Sequence, residues 1–135
     1  MIVIDEQVQG EGLEESIGRW YQGSIVSVIS LRPNTVIKDE AIPGLLTQLN
    51  QPIFVTINAT DFWQRSTLSG KFCILCFVLT SSEIEQIPTL LRRLLRHPDF
   101  NTKAKRAGKA VRVTLHSGSS FYSDLNNIVR PIIGF

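Results

Sequence analysis

Residues 72–79 (FCILCFVL) are apolar at every position, so both faces of any strand they form need cover. That demand is met by a central strand of a parallel sheet with helices packed on each side. Four other segments read as strands. Residues 2–4 (IVI) end in Asp5-Glu6; residues 24–31 (SIVSVISL) are rich in Val and Ile; Pro52 opens 53–57; and 111–115 alternates Arg112 and Thr114 with apolar neighbours.

Helical stripes lie between them. Leu13, Ile17, Trp20 and Tyr21 recur at helical spacing, with Gly23 as a stop. Asp39, or a residue near it, caps a helix carrying Ile42, Leu45, Leu46 and Leu49, with Pro43 in its first turn. Ser81 or Ser82 caps a helix over 83–96, with Glu85 near the capping-box position. Strands alternating with helices predict βαβ units with right-handed crossovers. The expected fold is therefore α/β: a single doubly wound domain over 1–135, with a mainly parallel sheet of 4–5 strands. Its core spans about 1–115, and the tail 116–135 has no clear period.

At 43% hydrophobic and 19% charged residues, the 135-residue chain is too apolar for disorder and too mixed for a coiled coil. No apolar run approaches the roughly 20 residues of a membrane helix. The opening MIVIDEQ turns acidic early, unlike a signal peptide. Two cysteines then suggest reduced thiols and a cytoplasmic location.

The net charge of +2 conceals an asymmetry, −4 over residues 1–70 and +6 over 71–135. In an open parallel sheet, ligands sit beyond the carboxyl ends of the strands. Asp5-Glu6, Asp39-Glu40 and Asp61 all fall where strands end or the next helix begins. Carboxylates gathered in one place repel each other and are costly to desolvate, so such a set persists by holding a hard divalent cation. Magnesium or manganese in that position suits phosphodiester hydrolysis. The bland alternative is that Asp39 caps a helix and Asp61 makes a turn.

The segments IVIDEQ, KDEAI (38–42) and FVTINATDFW (54–63) together resemble the small PIN-like proteins. The later strand, the EIEQIPTLLRRLL helix and the VRV strand keep that order, so the resemblance covers about residues 1–115. It implies a PIN-like fold and a Mg- or Mn-dependent ribonuclease, with Asp5, Asp39 or Glu40, and Asp61 as metal ligands. Asp5, Asp39, Glu40 and Asp61 are accordingly the expected catalytic set, and Asp5, Asp39 and Asp61 the expected metal set. Many such proteins are toxins of toxin–antitoxin pairs, which implies an antitoxin partner. One departure is Asn58, where the pattern has Asp: an amide keeps an oxygen ligand but removes a charge. The alternative is a catalytically degenerate module that binds RNA or a protein without cleavage, and a third reading is a structural homodimer.

The basic half suits single-stranded RNA. Lys103, Lys105, Arg106, Lys109 and Arg112 are the expected phosphate-binding residues, read as a loop with no helix end to serve. Arg92, Arg93 and Arg96 also suit a helix dipole. Other constellations fail. The sulfurs of Cys73 and Cys76 fall on opposite faces of a strand. His97 reads as a helix C-terminal cap, and His116 lacks a nucleophile elbow. No dinucleotide or P-loop motif follows a strand. Trp20, Phe62 and Trp63 read as core or interface anchors.

Overall fold

A computed structural model describes residues 1–8, 12–31, 41–57, 69–115 and 120–135. Its strands are β1 (Ile2–Ile4), β2 (Ile25–Ser27), β3 (Ile53–Thr56), β4 (Cys73–Phe77), β5 (Ala110–Val113), β6 (Phe121–Ser123) and β7 (Val129–Pro131). The helices are α1 (Leu13–Gly18), α2 (Val28–Leu31), α3 (Ile42–Thr47), α4 (Ile87–Arg96) and α5 (Lys103–Arg106), with a 3₁₀ segment over Ser81–Gln86 before α4.

The strands form one sheet in the order β2-β1-β3-β4-β5-β6-β7. The first five are parallel; β6 and β7 add antiparallel to β5. The α/β class is as expected, but the sheet has seven strands rather than four or five. The extra pair comes from the tail, whose three-residue strands are too short to show a period of two. Pro131 sits on the outermost strand, where a missing N–H costs no ladder bond and blunts the open edge.

All five residues of β4 are buried, as its two-faced apolarity requires. One face carries Ile2, Ile4, Val55, Leu75 and Val111 and packs against Leu13 and Ile17 of α1 and Ile87, Leu91 and Leu94 of α4. The other carries Val3, Phe54, Ile74 and Cys76 beneath Val28, Ile42 and Leu46 of α2 and α3. Handedness departs from expectation. The β1–β2 and β4–β5 connections cross the sheet in opposite directions, yet α1 and α4 lie on the same face. The two connections therefore have opposite hands. The β2–β3 connection uses the other face and shares the hand of β1–β2, so the three connections cannot all follow the usual right-handed rule.

Local chemistry corrects several boundaries. Residues 24–31 do not form one strand: Ser27 Oγ accepts from the Ser30 amide at 3.2 Å, and Ser30 Oγ donates to the Ser27 carbonyl at 2.8 Å. These bonds favour a turn over continued pairing, and α2 begins at Val28. Helix α1 stops at Gly18, short of Gly23. Ala41, not Asp39, occupies the N-cap position of α3, and Pro43 lies in its first turn as expected. Before α4, the cap is Thr80 paired with Glu83, whose Oε1 accepts from the Thr80 amide at 2.9 Å. Pro88, which has no N–H to donate, marks the change from 3₁₀ to α geometry.

Candidate functional site at the carboxyl edge of the sheet

From β1 the chain passes to β2 on one side, while β3 pairs on the other. The β1–β3 junction is thus the point where strand order reverses, the usual place for a ligand crevice in an open parallel sheet. Asp5 stands there. Its amide donates to the Val55 carbonyl at 2.9 Å, extending the β1–β3 ladder by one residue, and its own carbonyl accepts from the Val8 amide at 3.0 Å. Register places Asp5 level with Thr56, because Ile4 pairs with Val55.

The Asp5 side chain is 3% exposed. Its Oδ2 accepts a hydrogen bond from the Thr56 hydroxyl at 2.7 Å, and the backbone amides of Glu6 and Gln7 also donate to it. Among the described residues, no lysine or arginine lies within ion-pair distance of this carboxylate. Burial pushes its pKa above the ordinary 3.8, the Glu6 charge adds to the rise, and the hydrogen bonds from Thr56 and the two amides oppose it. The result is a desolvated carboxylate, oriented by one hydroxyl, that is unfavourable as a bare anion.

Register carries the row further. Thr56 pairs with Cys76, and Cys76 with Arg112. Asp5, Thr56, Cys76 and Arg112 therefore stand level on four neighbouring strands and share the face that carries Val3 and Phe54. Arg112, partly buried, lies about 10 Å from Thr56 at the usual strand spacing. Of the five cations expected to bind phosphate, it alone lies on this row.

The other four lie elsewhere. The Lys109 carbonyl accepts from the Ile74 amide and the Gly108 amide donates to the Phe72 carbonyl, so residues 103–109 flank the starts of β4 and β5. Lys103 and Arg106, after burial, help hold the Met1 amino group below its usual pKa, which places them near the start of β1. This is the amino edge of the sheet, opposite Asp5. Residues 103–106 form a helix rather than a loop, capped by Thr102, whose hydroxyl accepts from the Lys105 amide at 3.2 Å. Lys105 Nζ donates to the Pro98 carbonyl at 2.8 Å, and Arg106 Nη1 to the Phe100 carbonyl at 2.8 Å. Lys109 sits 5.1 Å from the Phe100 ring centroid and 4.9 Å from that of Tyr122. These three cations hold the segment together as well as charging it.

Asp39, Glu40, Asn58 and Asp61 lie outside the described residues, as do Phe62, Trp63 and His116. Among the described residues, no group of three His, Cys, Asp or Glu side chains could hold a metal. Asp5 fits a divalent ion as one hard oxygen ligand. Sequence reasoning passed over Thr56 as a site residue. Its signal was the alignment of FVT with IVID, two apolar runs that put a polar side chain level with the acid once they pair.

The remaining candidates have structural roles. Cys73 faces the α1–α4 core and Cys76 the α2–α3 core. Burial pushes the Cys73 thiol up to about 12 and raises that of Cys76 too. His97 is the C-cap residue of α4; its Nδ1 accepts from the Asp99 amide, and its Nε2 bonds the Ile133 carbonyl. Trp20 packs on the α1–α4 core. No described helix is long and apolar enough to cross a membrane.

Fold and edge geometry define an α/β protein with a mainly parallel sheet and a buried acid at its switch point. Comparison with family models, curated proteins and solved structures found no match to this chain.

Proposed function

We propose that this chain is a PIN-like, divalent-metal-dependent ribonuclease acting in the cytoplasm. The observation that carries the reading is the buried Asp5 carboxylate, held by Thr56 at the β1–β3 junction with no cationic side chain beside it among the described residues. A hard cation is the partner that most directly offsets such a charge. Asp5, Asp39 and Asp61 would hold the ion, with Glu40 or Glu6 orienting water. Magnesium or manganese, when bound, neutralises developing charge on phosphate and eases ionisation of water. Thr56 fixes the Asp5 carboxylate by donating to Oδ2. The resemblance extends the proposal to the toxin of a toxin–antitoxin pair, with an antitoxin or a second copy as protein partner.

The test is cleavage of single-stranded RNA with manganese. Wild type should cut and Asp5→Asn should not; equal cleavage by the variant would overturn the reading. A second reading, a non-cleaving RNA-binding module, draws on Asn58 and on the position of Lys103, Lys105, Arg106 and Lys109 at the edge opposite Asp5. Calorimetry separates the two, because the module predicts no heat on titration with millimolar manganese.

A further inference from the structure

A groove of about 370 Å³ runs between α1 and α4 on the face opposite α2 and α3. Ser16, Trp20, Thr89, Arg92, Arg93 and Arg96 line it. Among the described residues, no carboxylate lies within 4.0 Å of any of the three guanidinium groups. Arg93 stacks 4.8 Å from the Phe135 ring centroid, which orients it, while Arg92 and Arg96 are exposed one helical turn apart. The acid of the groove, Glu85, lies in the 3₁₀ segment that precedes α4, eleven residues before Arg96 and at the opposite end of that helix. Helices α1 and α4 each connect two parallel strands and so run in the same direction, which puts the positive end of the groove near Trp20, just past the end of α1.

Cations in a last helical turn complement the dipole, but that role requires neither a concavity nor an indole. Guanidinium forks match phosphate oxygens, hydroxyls serve a sugar or phosphate, and an indole gives a base a surface to stack on. The volume falls within the range of small-ligand sites. We propose that the α1–α4 groove binds a nucleotide unit, with its phosphate on Arg92 and Arg96 and its base against Trp20. The unit is either a free nucleotide or part of single-stranded RNA. The RNA arm rests on the ribonuclease reading, but binding here is independent of Asp5 and of any metal.

The test is therefore run with Asp5→Asn protein in chelator, where cleavage cannot interfere. Fluorescence anisotropy would follow a labelled single-stranded RNA oligonucleotide, and calorimetry a mononucleotide. Arg92→Ala with Arg96→Ala should weaken binding by about tenfold or more and reduce the salt slope by about 0.7, the share of the one phosphate they hold. Trp20→Phe, which keeps a ring for the core, should weaken it less and leave the salt slope unchanged. Tighter binding of the oligonucleotide assigns RNA, and equal binding assigns the free nucleotide. Unchanged affinity in the folded double-arginine variant, or no binding of either probe, overturns the proposal. Absence of RNA cleavage by the wild-type protein with manganese would instead count against the metal reading alone.

Discussion

The Thr56 hydroxyl donates to Asp5 Oδ2 at 2.7 Å, joining residues 51 positions apart across the β1–β3 junction. The bond is buried, so the hydroxyl orients the acid where little water competes.

Asp5 should make the protein less stable at neutral pH than in acid. Its folded pKa is raised above the ordinary 3.8, so the folded state holds this proton more tightly than the unfolded state. The contribution is fully stabilising below the unfolded value and is lost as pH rises through the raised folded value. In chelator at neutral pH, Asp5→Asn should gain about 1 kcal/mol, in the range for relieving one buried charge. Thermal melts from acid to neutral pH check this: the stability difference should shrink toward low pH. Manganese, on the metal reading, should raise the melting temperature of wild type only.

Thr56→Val keeps the shape of the side chain and removes the donor. At neutral pH it should cost about 1–2 kcal/mol by leaving Asp5 with one fewer hydrogen bond. In the Asp5→Asn background the cost should change, because contacting residues are not additive. Urea unfolding of the four proteins in the cycle gives the coupling; a value of zero would show that the bond contributes nothing.

Two glycines should respond in opposite directions to Ala. Gly108 has φ +77°, and an added Cβ would stand 2.9 Å from Leu125 Cγ. Gly108→Ala should destabilise by about 1–2 kcal/mol, with Leu125→Ala relieving the contact but not the backbone strain. Gly44 lies exposed within α3, with nothing within 4 Å of an added Cβ. Gly44→Ala should stabilise by about 0.5–1 kcal/mol. Denaturant midpoints of the two variants check both signs.

Cys73 and Cys76 should resist thiol reagents in the native state. Both are buried, on opposite faces of β4, and a thiol pushed up to about 12, as at Cys73, offers almost no thiolate at neutral pH. Labelling should become complete only in denaturant, and rapid labelling of the folded protein would contradict the β4 assignment.

The one-dimensional pattern determined what depends on local chemistry and on period. Apolarity on both faces of 72–79 required a covered central strand, and IVID and FVT implied strands ending in polar residues. The spacing of Ile84, Ile87, Leu91, Leu94 and Leu95 over 83–96 marked the face that this segment buries, with Leu95 only partly covered. Three-residue strands carry too few alternations to be read, so β6 and β7 became legible only through their pairing with β5. Strand order, the hand of the β4–β5 crossover, the Asp5–Thr56 bond, the removal of Lys103–Lys109 to the opposite edge and the α1–α4 groove were decided by the tertiary structure. They depend on which distant segments become neighbours, and a sequence period records the face a residue turns inward but not the strand that lies beside it.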